Sequence, residues 1–250
     1  MHTDRAIVQS YYAASRIDVK RLPPRLCPTT IRHRQATRIK QPTMNPQDWR
    51  DFSNDGLTPP LRAARDLFAM HGYHATSIRS IAQHAHLSVP GLYHHYQSKQ
   101  AILDALVDIG IGQMLSHTRA ADRASDGTAL GRFNNVVECL LRFHMWRRDD
   151  AFIASTEMRS MEETVLRKHI AQRDEQQRMI TEIIEQGVAD ETFQCPHVRE
   201  ASRAVASSCV AVSGWYRPDG ELPAEQLVQR FLAIAQRIAG VKASWRFAGH

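Results

Sequence analysis

Apolar residues recur at spacings of three and four along most of this 250-residue chain, and no stretch of any strength alternates with a period of two. The pattern predicts an all-α protein. Its clearest part runs from Leu61 to Leu106. Leu61, Ala64, Leu67 and Phe68 form one apolar face. Thr58 is placed to cap that helix, Pro59 takes the first helical position, where no N–H is needed, and Gly72 ends it. A second short helix follows Thr76 or Ser77, with Ile78, Ile81, Ala82 and Ala85 inward. His86-Leu87-Ser88 makes a turn. A third short helix starts at Val89, with Leu92 and Tyr96 inward. Ser98 caps a fourth, long helix carrying Ile102, Leu103, Leu106, Ile109 and Leu115 on its inner side.

The same periodicity continues to the end of the chain. Residues 128–148 read as a helix, with Phe133, Val136, Val137, Leu140, Leu141 and His144 on one face. Asp149-Asp150 breaks the pattern, and Ala151–Met161 is a shorter helix. Glu162–Val188 is long and charged, with Leu166, Ile170, Ile180, Ile183 and Ile184 inward. Gly187 to Phe193 reads as its end and a turn. Pro196 opens a helix rich in small residues that ends near Trp215. Arg217-Pro218-Asp219-Gly220 is a turn signal. Pro223 sits at the first turn of a last helix striped by Leu227, Phe231, Ile234 and Ile238. The apolar stripes of the last two helices are too wide for lone surface helices.

Residues 1–57 differ. Periodicity is weak, Pro23, Pro24, Pro28, Pro42, Pro46 and Gly56 interrupt it, and beyond a possible helix over Ile7–Ser15 the segment reads as disordered or loosely packed. Charge follows the same boundary. Residues 1–43 hold nine Lys/Arg against Asp4 and Asp18, a net +7 of the chain's total +6, which leaves the remainder at −1. The pI of 9.4 therefore belongs to a basic arm and is no argument that the folded body binds nucleic acid. Met44 is an alternative translation start. Cys27, Cys139, Cys195 and Cys209 show no metal or redox spacing and read as free thiols of a cytoplasmic protein. No apolar run reaches the length of a membrane span.

Two short helices joined by a three- or four-residue turn fit a DNA major groove. The run AxxLFxxxGYxxTSIRxIAxxAxLSxPGLYHHYxSKxxIL, over about 46 residues, resembles the DNA-binding domain of TetR-family bacterial transcriptional regulators. The resemblance implies an all-helical homodimer. Residues 58–106 would be the helix-turn-helix domain, and 107–250 a ligand-binding and dimerisation domain that pairs through its last two helices. The partners implied are a two-fold operator in double-stranded DNA and a small-molecule inducer.

Each candidate contact has a chemical reason. Thr76 and Ser77 stand at a helix N-terminus, where free N–H groups favour a phosphate. Arg79, one turn in, carries a planar fork that matches guanine O6 and N7. By family position, Val89, Pro90 and Gly91 approach base edges. Tyr93 and His95 match phosphate-holding positions, His94 a phosphate or base contact, and Lys99 a phosphate clamp. His86 stands where the family usually has glycine, at a position that often needs a left-handed backbone. Six of the thirteen histidines lie between His71 and His95. Their spacings do not share a helical face, so no metal site is read. Imidazoles beside phosphate should instead gain protons as pH falls towards about 6, tightening operator binding at fixed salt.

Nothing suggests an enzyme: no GxSxG, P-loop or HExxH is present, and no cofactor motif. Met114, Phe133, Val137, Leu141, His144, Met145, Phe152, Met158 and Trp215 are candidates for lining a ligand cavity between helices. Gly214-Trp215-Tyr216-Arg217-Pro218-Asp219-Gly220 resembles a signature of TetR-type regulators of lipid and acyl-CoA degradation. That points to a repressor released by a hydrophobic or acyl-CoA-type ligand, with Arg142, Arg147 and Arg148 available for a basic entrance. The competing reading is a helical small-molecule-binding protein of the same fold without sequence-specific DNA recognition.

Overall fold

The computed structural model describes residues 49–242. The readings made for 1–48, including the basic arm, Cys27 and Met44, lie outside those residues. The described residues form nine α-helices: α1 (Pro59–His71), α2 (Ile78–His84), α3 (Val89–His95), α4 (Lys99–Arg123), α5 (Ala129–Trp146), α6 (Arg148–Thr156), α7 (Glu163–Ala189), α8 (Val198–Trp215) and α9 (Ala224–Ile238). A 3₁₀ turn, Met158–Ser160, follows α6, and one isolated antiparallel bridge joins Phe193 to Val241. The all-α expectation holds. No helix among the described residues is long and apolar enough to cross a membrane.

Helices α1 to α3 pack on one another and on the first turns of α4. Leu61, Phe68, Ile81, Leu92, Ile102 and Leu103 are fully buried between them. Burying each contributes about 1.5–3 kcal/mol, enough to order three short helices that would not form alone. Below this head, α4, α5, α7 and α8 make the body. Asn135 donates to the Ala121 carbonyl (3.1 Å) and Arg147 to Gln113 (2.6 Å), so α5 runs antiparallel to α4. Ion pairs Asp108–Lys168 and Arg119–Glu175 set α7 parallel to α4, and Gln186 reaches Arg132 and the Gly127 carbonyl at the start of α5.

Four local expectations need correction. Residues 49–57 are not loose. Trp49, Phe52 and Leu57 are buried, Phe52 stacks on His117 (4.4 Å), and Arg50 makes a two-pronged pair with Glu138 (2.6 and 2.9 Å). Asp149-Asp150 does not break a helix. The break falls at Arg147 (φ −111°, ψ 41°), and the two acids occupy the first turn of α6, where carboxylates suit the helix dipole. Gly187 does not end α7. It sits inside the helix because a Cβ there would lie 2.5 Å from the Phe193 ring. The stripe on α9 is really two faces: Leu227, Val228, Leu232 and Ala235 turn inward, while Ile234 is exposed with Phe231 and Ile238 half-buried.

Candidate nucleic-acid interface

Two serines build the turn-flanking helices. Ser77 caps α2 by accepting from the Ser80 N–H (3.0 Å), while Ser80 Oγ accepts from the Ser77 N–H (3.1 Å), a reciprocal capping box. Ser88 caps α3 by accepting from the Gly91 N–H (3.1 Å). A Cβ on Gly91 would fall 3.1 Å from that same Ser88 oxygen, so glycine here leaves room for the cap. Pro90 sits in the first turn, where its missing N–H costs nothing. Leu92 is buried and fixes the helix to the head. Opposite it, Pro90, Tyr93, His94 and His95 are exposed, and Val89 and Gly91 are half-buried. Arg79 and Ser77 are exposed on the neighbouring α2. Tyr96 is half-buried and meets the Thr58 hydroxyl (3.1 Å).

The turn between α2 and α3 places His86 at φ 55°, the left-handed conformation a glycine would adopt without strain. This costs a non-glycine residue about 1–2 kcal/mol, whereas glycine adds about 0.5–1 kcal/mol of chain entropy. His86→Gly is therefore expected to raise stability by up to about 1 kcal/mol, seen as a higher urea midpoint at unchanged slope. A lower midpoint would show that the imidazole makes a contact stronger than the strain.

Two assigned contacts move away from the surface. Thr76 is buried, and its hydroxyl donates to the carbonyls of Gly72 (2.9 Å) and Leu67 (3.3 Å), so its side chain does not present a donor to phosphate. Lys99 folds inward as well. Its ammonium donates to the carbonyls of Tyr73 (2.7 Å) and Thr76 (2.8 Å) and sits over the Tyr73 ring (4.3 Å). It pins the loop that aims α2. From the other side, Glu157 accepts from the Tyr73 N–H (3.3 Å) and Ser160 meets His74 (3.3 Å). The loop before α2 is thus clamped between α4 and the segment after α6.

A second set of contacts joins head to body, and no sequence motif announced it. Asp55, in the strap before α1, pairs with Arg62 (2.7 Å) and Arg65 (3.2 Å) of α1. Burial favours its neutral form, but the Arg62 hydrogen bond and the Leu57 N–H hold its carboxyl down at about 2. Arg147, almost fully buried, donates to the Asp55 carbonyl (2.9 Å) and to Gln113 (2.6 Å). Its Nε faces Asp150 at 3.1 Å as an ion pair, without hydrogen-bond alignment. Burial pulls the Arg147 guanidinium pKa down and pushes the Asp150 carboxyl up, so desolvation works against both partners. Beside this hub lies a cavity of about 490 Å³ lined by Arg65, Trp146, Arg147, Arg148 and Tyr216 among others.

Of the ligand-pocket candidates, Met114, Phe133, Val137, Leu141, His144, Met145 and Met158 are buried. Phe152 and Trp215 are not: they are 38% and 50% exposed. Phe152 lies on the outer side of α6, and Trp215 ends α8 on the surface against Phe231 (5.5 Å). The three arginines suggested for a basic entrance are each engaged within the protein, and Arg147 and Arg148 line the cavity beside the hub. Arg142 is taken by Glu138 (2.8 Å) and Glu225 (2.6 Å), Arg147 by the hub, and Arg148 donates to the Ser213 carbonyl (3.0 Å). Inside the body, His144 Nδ1 and His169 Nδ1 are buried without hydrogen-bond partners. Burial, with Arg173 second, holds His144 down to about 3 and His169 down to about 4, so both are neutral at neutral pH.

Residues 61–106 match the family model "Bacterial regulatory proteins, tetR family", and residues 126–239 match "Tetracyclin repressor-like, C-terminal domain". The two matches together span well over half the chain. The chain belongs to the TetR family. It is similar to the HTH-type transcriptional repressor KstR2 of Mycobacterium tuberculosis, at 29% identity over 70% of this chain and 88% of that protein. Among solved structures it resembles a tetR-family regulatory protein from Rhodococcus RHA1, with a TM-score of 0.69 and 27% identity over 74% of this chain and 97% of that one. It also shares the fold of AibR, solved with isovaleryl coenzyme A and operator DNA, at a TM-score of 0.64 and 19% identity over 70% and 95%.

Within this TetR-family chain, the exposed set on α2 and α3 was legible through the family resemblance, and the clamps behind it were not. By the family pattern Lys99 reads as a phosphate clamp at a helix start. Only the fold brings the Tyr73 and Thr76 carbonyls to it. The strap had a faint signal in the spacing of Trp49, Phe52 and Leu57, masked by the Asp, Asn and Gly residues between them.

Proposed function

We propose that this TetR-family protein is a sequence-specific, homodimeric transcriptional repressor, acting in the cytoplasm and released from a two-fold operator by a small hydrophobic or acyl-CoA-type ligand. The observation that carries the reading is α3 with its turn: a short capped helix, buried on Leu92 and exposed along Pro90, Tyr93, His94 and His95, with Arg79 and Ser77 beside it. Residues 58–106 serve as the DNA-binding head and 107–250 as the ligand and dimerisation body, with residues 49–57 as a strap between them.

Several features support the dimer and ligand parts. Trp215, Phe231 and Ile234 leave an apolar face on α8 and α9, suited to a second copy. The similar chains KstR2 and AibR are respectively a repressor and a protein solved with an acyl-CoA and operator DNA. Each subunit would set α3 in a major groove, the two half-sites lying about 34 Å or a multiple apart. The ligand acts only if it binds the released form more tightly than the DNA-bound form.

Base reading falls to Arg79 and the edge of α3, while Ser77, Tyr93 and His95 hold phosphates. Arg79→Ala is expected to relax preference at one base pair per half-site by about 1–3 kcal/mol, leaving the other positions unchanged. Affinities measured across all single-base variants of the operator check this. An unaltered preference profile would remove Arg79 from base readout.

A further inference from the structure

Residues 49–57 precede both segments that match family models, which begin at 61 and 126. They nevertheless bind the body at one end and the head at the other. On the body side, Trp49 and Phe52 are buried between α4 and α5. Phe52 stacks on His117 of α4 and meets the edge of the Phe143 ring of α5 (5.8 Å), while His117 Nδ1 donates to the Trp49 carbonyl (3.0 Å). Arg50 lies over the Trp49 ring (3.8 Å) and holds Glu138 of α5 with both prongs. On the head side, Asp55 takes Arg62 and Arg65 of α1.

The strap is also stiff between its anchors. Three local turns fix its backbone: Asp51 accepts from the Ser53 N–H (2.8 Å), Asn54 from the Gly56 N–H (3.0 Å) and Asp55 from the Leu57 N–H (3.0 Å). Gly56 stands at φ 62° against α4, and a Cβ there would lie 2.8 Å from the Gln113 amide. Glycine lets the strap lie flush on that helix. A bare linker needs none of this, since ordering the chain costs entropy that only buried anchors offset.

The body anchor leads on to the proposed dimer face. Glu138 accepts from Arg142 as well as from Arg50, and Arg142 reaches Glu225 in the first turn of α9 (2.6 Å). Contacts therefore run from α9 through Arg142, Glu138 and Arg50 into the strap, and from the strap through Asp55 into α1. Without them the head would hang on α4 and on the Glu157 contact with the Tyr73 loop. A head held at a further point, on α1, resists tilting. That resistance matters on DNA. Adding one base pair between half-sites moves them about 3.4 Å apart and turns them about 35° about the axis. A dimer tells such spacings apart only if its heads resist both displacements.

We infer that residues 49–57 act as a strut that fixes the angle of the head on the body, and that Arg50, Phe52 and Asp55 thereby determine which half-site spacing the dimer accepts. This rests on the proposed dimeric repressor. Two tasks are divided between two parts of the chain: α2 and α3 read the bases, and the strap sets the distance between the two readings. The three strap residues are positioning residues that act through α1.

The test uses the full chain and the inverted repeat that it enriches from random duplexes. Both half-sites are kept while their separation is changed by one and two base pairs in each direction, and a duplex with a single half-site is the control. Wild type should favour one spacing at least tenfold over its neighbours. Arg50→Ala/Phe52→Ala removes the body anchor. Inserting Gly-Gly between Ser53 and Asn54, both exposed, adds slack while leaving every buried side chain in place. Each variant should bind the single half-site as wild type does and favour the best spacing threefold or less. Arg50→Lys, which keeps a cation for Glu138, should retain the preference. If the anchor variant does not fold, the insertion decides alone. An undiminished spacing preference in the insertion variant would overturn the inference. So would an equal loss on the single half-site and the full repeat, because the strap would then only support the fold of the head. A wild-type protein that enriches half-sites without a preferred spacing overturns the strut alone, whereas one that enriches no sequence overturns the repressor reading beneath it.

Discussion

Arg147→Met is expected to lower the free energy of unfolding by about 3–5 kcal/mol, the largest effect of any single substitution considered. The reason is what the change leaves behind. Asp150 is almost as buried as Arg147 and faces it at 3.1 Å. With the guanidinium gone, Asp150 keeps its burial and loses its main counter-charge, Arg65 remaining as a weaker one. The Asp55 carbonyl and Gln113 lose their donor in the same step. Because desolvation already works against both partners, removing both together should be far less costly than removing one. Arg147→Met/Asp150→Leu should recover most of the loss in urea unfolding, giving a large coupling energy in the double-mutant cycle. The functional effect should be separable from stability. The hub ties the strap and α1 of the head to the middle of α4 and the end of α5, so the repaired double variant should bind operator while its affinity responds weakly to ligand. A single-variant cost under about 1 kcal/mol would show that the hub is not a buried ion pair in solution.

Lys99→Met should weaken binding to every duplex by roughly tenfold or more, without changing the salt dependence. A lysine that touches phosphate contributes about 0.9 to the slope of log affinity against log salt, through release of a counter-ion. Lys99 instead spends two of its three donors on the Tyr73 and Thr76 carbonyls. Its loss frees the loop that orients α2, so Ser77 and Arg79 arrive at DNA less well placed. The half-buried ammonium should also contribute about 1–2 kcal/mol of stability. Affinity measured against salt for wild type and variant decides the matter. A slope shallower by about 0.9 would return Lys99 to the phosphate contacts.

These two residues show where sequence reading reached and where it stopped. Helix positions followed from local signals, and local signals survive folding: the serine caps at Ser77, Ser88 and Ser98, the apolar spacing of Leu61 to Phe68, and Gly72 at the end of α1. The left-handed turn at His86 was legible through the resemblance, since the family usually carries glycine at that position, and the backbone adopts that conformation. What escaped depends on partners distant in the chain. Thr76 reads as a capping residue until the Leu67 and Gly72 carbonyls are seen to claim its hydroxyl. Asp149-Asp150 reads as a break until Arg147 is seen beside it. Trp215 and Phe152 read as cavity lining because they are large and apolar, yet they sit where their helices face outward. The buried imidazoles were half visible, since His144 fell on an apolar face, but His169 was hidden in a strongly charged helix.

The central claim is that the face built on α2 and α3 reads a two-fold DNA sequence. The most direct measurement is selection from random duplexes by the full-length protein, followed by sequencing of the bound pool. The account predicts an enriched inverted repeat with half-sites centred about 34 Å or a multiple apart, bound with an affinity that falls steeply with salt. A folded dimer that retains duplexes without enriching any sequence would contradict it, and would leave a helical small-molecule-binding protein as the reading that survives.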